Sequence, residues 1–246
     1  MVAGFVAELQ LPVSHARLEA YRPPGGSDIE MVINYLWNIE LNKALYPCLQ
    51  VLEVSLRNSI HTAATVHYGT PHWFDQPDVL LEGQVEKIIE AREKLTRAAR
   101  PHNPDDIVAA LTFGFWVALF NSPYELPLPP APSNRLTWFD ARSRPSILFH
   151  ATFPSAPNRV LSRKAISRRC NKVLWLRNRV FHHEPIWKYA SLPQYHTEIL
   201  EAIGWISPAM HTTIALIDDF STVYDHGRTT VETKLKLFLG ITEEIP

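Results

Sequence analysis

Apolar residues recur at intervals of three and four in one segment after another, and no stretch of useful length alternates with period two. That pattern predicts helices throughout and an all-α fold. Residues 1–28 are mixed and close on Pro23, Pro24, Gly25 and Gly26, so they read as an N-terminal extension. Ser27 or Asp28 can then cap the first long helix. That helix is expected over 29–45 with Ile33, Leu36, Trp37, Leu41 and Leu45 inward. Pro47 suits the first turn of a second helix, ending near residue 68 before Gly69 and Pro71. Its apolar stripe is Leu49, Leu52, Leu56, Ile60 and Ala63, with Glu53 inside it.

Downstream, Trp73 and Phe74 read as buried in a turn, and 78–100 as a charged outer helix. Pro104 opens a helix that carries LTFGFWVALF at 111–120, apolar on every side and therefore central, with Gly114 admitting a close neighbour. Five prolines between 121 and 133 predict an extended surface loop. Trp138, Phe139, Ile147, Leu148 and Phe149 read as buried. A helix follows within 159–187, then others at about 192–205, 208–224 and 231–239. The whole chain, 1–246, reads as one domain.

With 46% hydrophobic and 20% charged residues, the chain is long enough for one sizeable core and shows no sign of disorder. No apolar run reaches the roughly eighteen residues that span a bilayer, and the N-terminus lacks the basic region and cleavage site of a signal peptide. No membrane is expected as a partner, and the cytoplasm is the expected compartment. Cys48 and Cys170, the only cysteines, lie in no Cys-x-x-Cys or Cys/His cluster, so each is expected to be a small core residue. The eleven histidines are scattered without ligand spacing, so neither metal nor other cofactor is expected.

A net charge of −1 argues against a polyanionic partner until its distribution is considered. Between residues 141 and 183 there are ten Arg or Lys and no Asp or Glu, which leaves 14 basic against 25 acidic residues elsewhere, a balance of −11. Such a stripe can draw a polyanion such as a nucleic acid to one face. It can equally pair with acidic neighbours in the fold or in a second subunit. Arg163, Lys164, Arg168, Arg169, Lys172 and Arg179 are the candidate RNA-binding residues.

Most of the chemistry lies in RVLSRKAISRRCNKVLWLRNRVFHHEPIW, residues 159–187. Ile166, Cys170, Val173, Leu174, Val180 and Phe181 define a buried helical face, and Arg177 falls on it. A buried guanidinium requires acceptors. Glu53, in the stripe of another helix, is its expected partner, and Arg57 could share that carboxylate. Asn178 stands one turn before His182, on a flank beside the arginine. Pro185 places His182 and His183 in the last turn, where the helix dipole favours an imidazolium.

Arg177, Asn178 and His182 at this spacing resemble the R-x4-6-H motif of the HEPN superfamily, and LRNRVFHHEPIW resembles its Abi-like (abortive infection) branch. NYLWNIELNKALYPCLQVLEVSLRNSIH at 34–61 and LTFGFWVALF at 111–120 support the likeness. It implies a HEPN-type helical bundle with additional helices. It further implies a homodimer whose paired motif helices build one cleft, and a role as toxin or in anti-phage abortive infection with an antitoxin or phage-derived trigger.

The chemistry expected is metal-independent endoribonuclease action that leaves 2',3'-cyclic phosphate. His182 would transfer protons, Arg177 would bind phosphate oxygens, and Asn178 would orient the imidazole or donate to the phosphate. Glu53, Arg57 and His183 would support them, and Trp175 could stack a base. Arg57, Asn58 and His61 echo the motif one residue short, a spacing that suits packing. The alternative is a non-catalytic RNA-binding or protein-interaction module of a bacterial defence system.

Overall fold

The computed structural model describes residues 2–124, 134–139, 145–160 and 162–241. The expected proline-rich loop at 121–133 lies mostly outside them, as do Arg142, Arg144 and the side chain of Arg159. Among the described residues the protein is all-α, with one isolated bridge between Phe139 and Pro145. The helices are α1 (Val2–Val13), α2 (His15–Glu19), α3 (Asp28–Tyr68), α4 (Glu82–Arg97), α5 (Pro104–Ala110) and α6 (Phe113–Ala118). They continue as α7 (Ile147–Thr152), α8 (Arg163–Phe181), α9 (Leu192–Ile206), α10 (Pro208–Ile214), α11 (Phe220–His226) and α12 (Thr229–Phe238). None is long and apolar enough to cross a membrane.

The chain divides into two compact units. The first combines Met1–Pro47, Arg177–His196 and Ile217–Pro246. Its core gathers Val6, Leu18, Tyr21, Met31, Ile33 and Leu235, so the N-terminal extension is helical and packed rather than a loose lead-in. His196 and Asp218 form a buried hydrogen-bonded pair there at 2.9 Å, with the imidazole stacked on Phe220. The second unit combines Cys48–Leu176 and Thr197–Leu216. Its core holds the predicted stripe Leu49, Leu52, Leu56, Ile60 and Ala63 together with Trp73, Trp116 and Trp138. The Trp138 indole donates to the Leu119 carbonyl at 2.6 Å.

Several expected boundaries move. Pro47 lies inside α3 instead of opening a new helix. It removes one backbone donor, an internal cost of about 3 kcal/mol. Buried Leu41 and Leu45 before it, and Leu49 and Leu52 after it, anchor the helix on either side and offset that cost. The inward face of α3 in the first unit also differs from expectation. Ile33, Leu41 and Leu45 are buried as expected, but Met31, Val32, Asn34 and Asn38 are buried with them, while Leu36 and Trp37 are only half-buried. Two asparagines occupy what an apolar count assigns to hydrophobic residues.

The 104–120 segment is two helices. Leu111 and Thr112 are extended, and Thr112 is the N-cap of α6. An all-apolar run has no periodicity to mark such a break. Its burial is as expected, with Phe113, Phe115, Trp116 and Val117 all enclosed. Gly114 is not held by a close neighbour, since a Cβ there would meet only ordinary contacts at 3.7 and 4.0 Å. Ile147 is 82% exposed, because it opens α7 directly after the Ser146 cap, while Leu148 and Phe149 point inward. The 208–224 segment splits into α10 and α11.

Candidate functional site

Ser162 stands just before helix α8, and its hydroxyl accepts from the Ala165 amide at 3.2 Å. Of the predicted face Ile166, Val173 and Val180 are buried, Cys170, Leu174 and Phe181 are only half-buried, and Leu176 joins the buried positions. On the opposite side Lys164, Arg168, Asn171, Trp175, Asn178 and His182 are all exposed, again at intervals of three and four. The predicted Asn178 and His182 therefore share one solvent-facing flank, and Trp175, at 37% exposure, lies on that line.

The C-terminus of α8 is closed by a Schellman motif. The Glu184 amide donates to the Arg179 carbonyl at 2.8 Å and the His183 amide to that of Val180 at 3.1 Å. His182, whose amide bonds to the Asn178 carbonyl at 2.8 Å, is the cap. His183 takes the left-handed position at φ 57°, usually given to glycine. For a residue with a Cβ this costs about 1–2 kcal/mol. The surroundings hold it there. The His183 carbonyl accepts from Arg17 at 2.5 Å and from the Tyr21 hydroxyl at 3.5 Å.

Asn38 fixes the turn beyond. Its Oδ1 accepts from the amides of Ile186 at 2.6 Å and Trp187 at 3.1 Å. Its Nδ2 lies 3.5 Å from the Glu184 carbonyl and 3.4 Å from the Tyr21 hydroxyl. One turn earlier Asn34 donates to the Tyr21 carbonyl at 3.0 Å, so α2 and the chain after α8 are both tied to α3.

Arg177 is half-buried, and its guanidinium carbon stands 4.1 Å from the centre of the Phe181 ring. The cation thus rests on an aromatic face within its own helix. Phe181 in turn stacks on Tyr46, with ring centres 5.3 Å apart and planes at 24°. Glu53 and Arg57, both half-buried, belong to the second unit, whereas Arg177, Asn178, His182 and His183 belong to the first. Arg57 donates to Asn58 at 3.3 Å. His61 accepts from the Trp73 indole at 3.0 Å, the packing role expected of that echo.

The basic stripe divides in two. Arg169 pairs with Glu201 at 2.5 Å and lies over the Trp205 ring, and Lys172 pairs with Glu198 at 2.7 Å. Arg179 pairs with Glu184 at 2.7 Å. These three are engaged by carboxylates of their own fold. Lys164 and Arg168 face solvent, and Arg163 is half-buried. Desolvation pushes the Cys170 thiol up to about 12, so it is unreactive, although the residue as a whole is half-buried and not, as expected, in the core; Cys48 is fully buried. Among the described residues no three of His, Cys, Asp and Glu gather as a metal-ligand set.

Beside the closed end of α8 the first unit carries a groove of about 420 Å³. Phe181 and His183 form one side and residues of α2 and α3 the other, among them Arg17, Tyr35, Asn42 and Tyr46. Sequence reading passed over Arg17, Asn38 and Tyr46. The only available signal was a pair of asparagines one helical turn apart on an otherwise apolar face. No family model, curated protein or solved structure matches the chain.

Proposed function

We propose that this protein is an Abi-like HEPN protein acting as a metal-independent endoribonuclease in anti-phage abortive infection or as a toxin. One observation carries the reading. His182 caps α8 in open solvent, with Asn178 on the same flank and Arg177 immediately beside it. A solvent-reachable imidazole can accept the 2'-hydroxyl proton as that oxygen attacks phosphorus, or donate one to the departing 5'-oxygen. The products are a 2',3'-cyclic phosphate and a 5'-hydroxyl. Arg177 supplies charge-assisted donors to the phosphate oxygens, and Asn178 orients the imidazole or the phosphate.

Base and acid together require two such groups. A homodimer formed through the motif helices brings two copies of His182 and Arg177 into one cleft. Lys164 and Arg168 remain exposed to engage RNA along α8.

The test is incubation of purified protein with single-stranded RNA in EDTA. Cyclic-phosphate products are expected, with a loss of about 10²-fold or more in His182→Ala. Absence of cleavage under all conditions would refute the enzyme. A second reading, a protein-interaction module, is favoured by the engagement of Arg169, Lys172 and Arg179 by carboxylates, which weakens the field available to a polyanion. Under that reading salt-sensitive RNA binding is absent as well.

A further inference from the structure

The groove beside His183 combines three features that together suit one ligand class. The first is aromatic surface. Tyr46 is 46% exposed and stacked on Phe181, and Tyr35 is half-buried across the same space. A further flat ring can extend such a stack. The second is amide chemistry. Asn42 lines the groove, and its Oδ1, enclosed from solvent, has no hydrogen-bond partner among the described residues. The third is charge. Arg17 and Lys43 line the groove and no carboxylate does, although Glu40 reaches Lys43 from outside at 3.3 Å. The space, about 420 Å³, falls within the range of small-ligand sites.

We propose that this groove holds one unpaired nucleotide of single-stranded RNA, its base stacked on Tyr46 and its phosphate met by Arg17 and Lys43. The inference rests on the nuclease reading and deepens it, because it adds a base-recognising site on α2 and α3 to the exposed cations of the partly neutralised helix α8. Unpaired bases are recognised by stacking on aromatic rings and by hydrogen bonds to their edges, while cations track the backbone. An unstacked base is needed, so duplex RNA is excluded. The site also lies next to the motif. Phe181 carries the Arg177 guanidinium on its ring, and the Arg17 side chain that faces the groove holds the His183 carbonyl.

The experiment measures binding of fluorescently labelled single-stranded and duplex RNA to the full chain, with cleavage followed in parallel. Tyr46→Ala is expected to weaken single-strand binding about 10-fold, and Tyr46→Phe, which keeps the ring, to retain it. Lys43→Glu, at a side chain that is largely exposed, is expected to weaken binding and to lower the salt dependence by about one counterion. Loss of binding in these variants upholds the groove even if the wild-type protein cuts nothing, in which case only the nuclease reading falls. Cleaving wild-type protein with Tyr46→Ala and Lys43→Glu binding as tightly overturns the groove and leaves the nuclease standing. Wild-type protein that binds no single-stranded RNA, or binds duplex equally well, overturns the groove outright.

Discussion

Replacing Asn38 with leucine tests whether the turn after α8 depends on one buried amide. Asn38 is 2% exposed, and its Oδ1 receives two backbone donors at 2.6 and 3.1 Å. Leucine has nearly the same shape, so it leaves little room for a replacement water and strands both donors. Each unsatisfied buried group costs about 1–3 kcal/mol, which gives about 2–6 kcal/mol, centred near 4. The contacts of Nδ2 at 3.4 and 3.5 Å are at the edge of hydrogen bonding and add little. Tyr21→Phe, which removes only such long contacts, is therefore expected to cost less than about 1 kcal/mol. For a chain of this size, about 4 kcal/mol lowers Tm by about 8–16 °C. Urea unfolding gives the difference, and amide exchange at Ile186 and Trp187 reports the turn directly. Asn38→Leu with stability and exchange within about 0.5 kcal/mol of wild type would show that those donors are satisfied elsewhere.

Another perturbation probes the second unit. Burial pushes the His61 imidazole below its ordinary range, with exposed Asp105 opposing weakly, so the folded state keeps it neutral. Its contribution is complete above pH 6.5 and declines as pH falls, because the unfolded chain takes up the proton first; it levels off only below the folded-state value. Urea midpoints from pH 7.5 to 5 should fall more steeply in wild type than in His61→Gln, and equal slopes would contradict the assignment.

What the residue order determined by itself is the all-α class, the burial of Leu49, Leu52, Leu56 and Ile60, and the exposed flank that joins Asn178 to His182. Each follows from a period of 3.6 residues, which is local and survives any tertiary arrangement. Helix ends were less legible, because a proline in mid-helix or a break in an all-apolar run depends on how neighbouring burial offsets it. Only the tertiary structure decided what holds the motif. The acceptor for Ile186 is an amide 148 positions earlier, and the cation on the His183 carbonyl comes from an N-terminal segment that reads as a mixed extension. It also decided which cations are engaged, since Glu198 and Glu201 reach Lys172 and Arg169 from another helix. Hydrogen bonds and ion pairs are set by distances of about 3 Å, and at such separations in sequence no periodicity encodes them.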